Sequence, residues 1–266
     1  MNPLISVIIP TYNRPRLLTD CLSTIAQDPY KYKEVIIVND AGQDVSAAVE
    51  PFGDKMKVQI LQLPTNRGHV HARNVGLQAA EGDMIMLCDD DDIMLPGHID
   101  RMARSWMKRR EAFFYSDAEI VVYDHAHGGR HPVSRTPFAF DFRPDLLRQW
   151  NLIILSGATY AHTLHEEIGV FDEDIKEHWD WDFLLRVSGR FPLRRIPVAD
   201  VLYMVSSLGQ NQSANATNMS RSLTRLIQKH ELHDLPVSSF ALMTKEPALK
   251  KYRRPTRLIW DGALPI

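Results

Sequence analysis

Apolar residues fall into two alternating periods along the first hundred positions. Residues 4–9 (LISVII) form a short β-branched run that Pro10 closes, the signature of a buried strand. Leu18, Cys21, Leu22 and Ile25 then recur at i, i+3, i+4 and i+7, the stripe of an amphipathic helix. Residues 35–38 (VIIV) predict a second strand, stopped by the turn sequence Asn39-Asp40-Ala41-Gly42. A weak helix is predicted over 43–50, a third strand over 58–63 and a helix over 70–80. A fourth strand over 84–87 runs directly into four aspartates. Strands that are continuously apolar and separated by helices predict an α/β fold, with parallel strands covered on both faces. Ligands of such sheets gather beyond the carboxyl ends of the strands. That rule singles out residues 10–14, 39–42 and 89–92.

The second half is less regular. Residues 113–123 predict one long strand or a strand pair, and 124–142, rich in His, Gly and Pro, predict a loop. A strand is expected over 152–160, a helix over 179–188 and another strand over 197–205. Residues 206–218 are polar and expected to be mobile. Met219, Leu223, Leu226, Ile227 and His230 mark a last helix. No internal repeat and no Pro/Gly linker divides the chain.

Charge narrows the function classes. Lys and Arg total 31 against 33 Asp and Glu, a net charge of −2, which excludes a general nucleic-acid binder. The two cysteines, Cys21 and Cys88, lie in apolar segments and read as buried thiols of a reducing compartment. No run approaches the roughly 20 apolar residues of a membrane span, and no leader pattern opens the chain. The expected location is the cytoplasm.

The loudest chemical signal is Asp89-Asp90-Asp91-Asp92. Adjacent carboxylates repel, and a hard divalent cation with oxygen ligands offsets that repulsion. The competing reading is an acidic turn that caps the next helix, a task best suited to Asp92. Asp40 is either a turn residue or an acceptor for a base or ribose donor group. Tyr12 and Arg14 are surface turn residues, or else a stacking ring and a phosphate ligand. Residues 66–74 (NRGHVHARN) open a helix whose free N–H groups, with Arg67 and Arg73, suit phosphate. His69 and His71 lie two apart on that helix and cannot share a metal. His125, His127 and His131 read as a solvated loop rather than a zinc site. On the helix over 179–188, Asp180 and Asp182 point about 200° apart. Asp182 pairs with Arg186 at i, i+4, which leaves Asp180 as a general base or as a first-turn residue complementing the helix dipole.

Taken in order, Ser6-Val7-Ile8-Ile9-Pro10-Thr11-Tyr12-Asn13-Arg14, Val38-Asn39-Asp40-Ala41-Gly42, Asn66-Arg67-Gly68, Ala72-Arg73-Asn74 and Asp89–Asp92 resemble the family 2 glycosyltransferases. Residues 167–173 (EIGVFDE) and the Trp179-Asp180-Trp181-Asp182 segment continue the likeness, which spans residues 4–205. It implies a GT-A fold, an inverting mechanism, a nucleotide-sugar donor, a glycan or lipid-linked acceptor and Mn²⁺ or Mg²⁺. It places Pro10, Thr11, Tyr12, Arg14, Asp40, Asn66, Arg67, Arg73, Asp89 and Asp90 around a UDP-sugar. Asp91, with Asp89, becomes the metal ligand and Asp180 the catalytic base. Residues 1–95 become the donor half of one catalytic domain over 1–205, residues 96–205 its acceptor half, and 206–266 a mobile loop, a helix and a tail. Residues 206–218 are expected to close over the donor. Two positions depart from the family: Trp179 stands where Glu usually precedes the base, and residues 206–211 (SSLGQN) stand where an Arg or His is usual.

A sugar-phosphate nucleotidyltransferase would carry a Gly-rich loop with Arg and Lys after the first strand, and a nicotinamide dehydrogenase a G-x-G-x-x-G; neither is present. A glycan-binding module without catalysis would not need both Asp180 and the acidic run. Residues 244–266 carry six basic and two acidic groups. With Tyr252, Leu258, Ile259 and Trp260 they suggest peripheral contact with an anionic membrane. The competing readings are a solvated tail and a contact between two copies of the chain.

Overall fold

The computed structural model describes residues 2–109, 113–125, 129–208, 216–233, 235 and 238–266. Its N-terminal half follows the hydrophobic runs closely. Strands β1 (Ile5–Thr11), β2 (Lys33–Asn39), β3 (Lys57–Gln62) and β4 (Met84–Leu87) form a parallel sheet in the order β4-β1-β2-β3. Every residue of β1 and β2 is buried, because apolar side chains on both faces meet helices. Val7 and Ile9 pack with Leu18 and Leu22 of α1 (Pro15–Gln27), whereas Ile36 and Val38 face Ala72 on the other side. Pro10 does not end β1: the strand continues to Thr11, paired only with β2 there, since β4 stops opposite Ile8. An edge left open tolerates the missing N–H. The helix expected over 43–50 shrinks to one turn, α2 (Ser46–Val49), before a 3₁₀ turn that contains Pro51. Helix α3 (His69–Ala79) is as expected.

A two-residue strand β5 (Ile93–Met94) leads into α4 (His98–Arg109). Asp92 does not cap that helix. Its N-terminal N–H groups go to Asp28, whose Oδ2 accepts from Gly97 and Ile99 at 2.8 and 2.9 Å. Strand β6 (Phe113–Asp124) is one long strand. The loop expected over 124–142 is corrected to a hairpin partner, β7 (His131–Phe138), antiparallel to β6. All but its last residue are exposed, so no apolar alternation marks it, and Pro132 and Pro137 sit harmlessly on an edge. Ala126, His127 and Gly128 lie outside the described residues.

After α5 (Pro144–Leu147) the strand expected over 152–160 is corrected to irregular backbone, with only β8 (Thr159–Ala161) in the sheet. Gly157 explains the break: at φ +82° it donates to the Leu87 carbonyl at 2.7 Å and turns the chain beneath β4. Helices α6 (Leu164–Ile168) and α7 (Trp179–Ser188) precede the long β9 (Leu193–Ser206). Helix α8 (Ala216–His230), the single turn α9 (Phe240–Met243) and β10 (Arg257–Leu258) complete the chain. The sheet runs β10-β9-β6-β8-β4-β1-β2-β3, with β8 antiparallel to both neighbours. The parallel first half therefore joins a mixed second half.

The C-terminal segment lies against this sheet. Trp260, counted with the apolar residues of the tail, is 6% exposed under Arg135, whereas Leu258 and Ile259 remain on the surface. No helix among the described residues is long and apolar enough to cross a membrane.

Candidate active site

Four strand ends converge on one cavity of about 350 Å³, lined by residues of the β1, β2 and β4 ends together with α3, α7, α9 and β9. After β1 the chain turns sharply, with Asn13 and Ala41 in the left-handed region at φ 58° and 60°. The two turns interlock: a Cβ on Gly42 would lie 2.7 Å from the Asn13 nitrogen, so only glycine fits. This places Pro10, Thr11, Tyr12 and Arg14 on the cavity wall, with Tyr12 47% exposed and open to a planar ligand.

Asp40 is buried, and both of its oxygens are already engaged. Oδ1 accepts from the Arg67 N–H at 2.9 Å and Oδ2 from the Gly68 N–H at 2.7 Å. It therefore holds the loop before α3, and Gly68 enters that helix at φ +94°. Asn66, Gly68 and Arg73 reach the cavity. The Arg67 side chain does not; it turns to Glu173, which also accepts from Asn74 and contacts His71. His69 and His71 point to different neighbours, Arg73 and Glu173.

The aspartate run divides its labour. Asp90 is buried and held by the Thr11 hydroxyl at 2.6 Å and by Arg14 at 3.3 Å. Asp89 is bound by Arg73, whose guanidinium lies 4.0 Å over the Trp179 ring. Asp91 pairs with Arg14 at 3.1 Å. Asp92 accepts from Met204 N on β9 at 3.0 Å. Oxygens of Asp89, Asp91 and Asp92 lie within 4.8 Å of one another. Burial and the neighbouring charges push Asp91 up to about 7 and raise Asp90 and Asp92 as well. Asp92 Oδ2 is buried without a well-formed hydrogen bond. Three carboxylates whose oxygens crowd together and repel each other fit a hard divalent cation. Asp92, expected as a helix cap, thus joins Asp89 and Asp91 in the set, because β5 pairs with β9 and brings it beneath that strand.

The helix α7 separates its two aspartates as the periodicity requires. Asp180 faces the cavity, where Asn151 donates to Oδ2 at 2.7 Å and Trp181 N to Oδ1 at 2.8 Å. Burial, with Asp89 nearby, pushes it up to about 6. Asp182 is fully buried on the far side, bound by Arg186, Lys229 and His230 at 2.9, 2.8 and 2.7 Å. These partners outweigh its burial and hold it down at about 2. The pair with Arg186 is therefore no exposed helical pair, as its spacing suggested, but the centre of a buried network. Asp182→Asn should lower unfolding stability by about 2 kcal/mol in urea titrations, since the fully buried carboxylate is the shared acceptor for Arg186, Lys229 and His230. The wild-type contribution is present above about pH 4, the ordinary carboxylate value, and is lost as pH falls through about 2. A loss within a few tenths of a kcal/mol would refute the network.

Asn151, Glu177, Tyr203 and Phe240 also line the cavity, and nothing in their local sequence singles them out. The residues expected to close over the donor fall at 209–215 outside the described residues. Comparison with known proteins now bears on this geometry. The sequence profile of Glycosyl transferase family 2 matches residues 6–161. The chain is 41% identical to the uncharacterized glycosyltransferase YwdF of Bacillus subtilis, over 97% of this chain and 96% of that protein. The crystal structure of TarS residues 1–349 from S. aureus in complex with UDP-GlcNAc superposes with a TM-score of 0.59 at 21% identity, covering 76% of this chain and 58% of that one. The mannosyltransferase PcManGT of Pyrobaculum calidifontis, in complex with GDP-Man and Mn²⁺, superposes at 0.57 with 16% identity, covering 86% and 65%. The chain thus spans less than two thirds of either structure, and both share its curled GT-A sheet.

Proposed function

Because the chain belongs to glycosyl transferase family 2, we propose that it is a metal-dependent, inverting enzyme that transfers the sugar of a UDP-sugar to an acceptor hydroxyl in surface polysaccharide or glycoconjugate synthesis. The observation that carries this reading is that Asp180 faces one cavity together with Asp89 and Asp91, with Asp92 buried close behind them, a base and a diphosphate anchor in reach of one substrate. Asp89, Asp91 and Asp92 would hold Mn²⁺ or Mg²⁺, which supplies charge neutralisation to a leaving diphosphate. Tyr12 offers its exposed ring to the base, Asp40 shapes the loop beside it, and Arg14 and Arg73 orient the acidic groups and meet phosphate. Asp180 accepts the proton of the acceptor hydroxyl as that oxygen bonds to the anomeric carbon. The bond from that carbon to the diphosphate oxygen breaks on the opposite face, so configuration inverts and UDP leaves. Asn151 aims the carboxylate without taking its proton.

A thermal-shift panel of nucleotide sugars with Mn²⁺ tests donor class. A UDP-sugar at 100 times its Kd should add about 2.7 kcal/mol of stability, whereas GDP-mannose should add little. Stabilisation by GDP-sugars alone would overturn the uridine assignment, and donor binding with no UDP release, with or without added acceptor, would favour a binding module.

A further inference from the structure

The two ends of the cavity differ in chemistry. In the sheet order, β2 and β9 lie on opposite sides of β4, so the aspartate run divides the cavity. On the β1–β2 side the wall is polar and charged. On the β9 side it is built from Tyr203, Val205, Met219, Phe240, Ala241 and Met243. Phe240 is fixed there edge-on to Tyr203 and Phe138, at 5.4 and 5.2 Å between ring centres. Two polar residues of the lining are already engaged: Ser239 caps α9 by accepting from Leu242 N, and Asn151 donates to Asp180, while Ser238 and Glu177 also line the cavity. Leu242, between the wall residues Ala241 and Met243 in sequence, is 58% exposed.

A polyhydroxyl chain laid against this wall would leave hydroxyl groups without partners, a costly arrangement. A hydrocarbon there gains by every methylene removed from water, and methionine side chains adapt to its irregular contour. Resting on the glycosyltransferase reading, we propose that the acceptor is amphipathic: its hydroxyl-bearing end reaches Asp180, and an attached hydrocarbon chain lies along the wall formed by β9, α8 and α9.

The test compares octyl β-D-glucoside with methyl β-D-glucoside, both below micelle-forming concentrations, on the full chain with Mn²⁺ and UDP. Binding is followed by tryptophan fluorescence, to which Trp179 in the cavity contributes. The octyl compound should bind at least tenfold more tightly, about 1.4 kcal/mol. Ala241→Asp should remove that advantage, with UDP binding in the same sample as the check on folding. Met219→Gln, nearly the same in length, should reduce it and serves if Ala241→Asp does not fold. Equal binding of the two glucosides, or an octyl advantage that survives in the folded variants, overturns the proposal. Failure of the wild-type protein to bind UDP would strike the glycosyltransferase reading itself, and the proposal with it.

Discussion

Asp180→Asn is expected to lower acceptor-dependent UDP release by roughly 10² to 10⁴-fold, the usual contribution of a positioned general base. Asparagine preserves the size of the side chain and its contact with Asn151, so the loss isolates the proton acceptor. Donor affinity should change little, because the donor is assigned to the other end of the cavity. The pH profile supplies an independent check. Burial holds Asp180 up at about 6, so at saturating Mn²⁺ and UDP-sugar transfer should rise as pH increases through that value and level off above it. In the variant this limb should vanish from what activity remains. Near-normal turnover by Asp180→Asn would place the base elsewhere.

Chelation should have the second large effect. UDP binding measured by calorimetry should be lost in EDTA and restored by Mn²⁺ or Mg²⁺, since four adjacent carboxylates repel a diphosphate until a cation intervenes. Asp91→Ala and Asp92→Asn should each weaken the restoration, whereas Asp182→Asn should leave it intact. Metal ligands must be deprotonated to bind. With Asp91 held at about 7 by burial and by Asp90 and Asp89, metal-dependent binding should weaken as pH falls below that value. Equal UDP affinity with and without metal would refute the trio as a metal site.

The first half of the fold was legible because its determinants are local. A strand covered on both faces must be apolar throughout, and charges that follow it directly must lie at its carboxyl end. The opposite facing of Asp180 and Asp182 was legible for the same reason, since helical geometry alone separates residues two apart. Strand β7 was not legible, because an exposed edge strand owes its conformation to the hydrogen bonds of β6 and not to its own side chains. The break at Gly157 was equally hidden, for an apolar run reads alike whether it is a strand or a buried irregular segment.

At the site, the sequence by itself determined which residue types stand at the strand ends and in the first turn of α7: the carboxylates, Tyr12 and Arg14. Only the tertiary structure decided their partners. Asp92 meets Met204, Asp180 meets Asn151, Asp28 meets the start of α4, and Asp182 meets Lys229 and His230. Each pairing joins segments between 29 and 112 positions apart. Burial decides whether such a carboxylate is neutral or charged, metal-binding or structural. Burial is created by the whole chain closing around a residue, so local order along the sequence does not contain it.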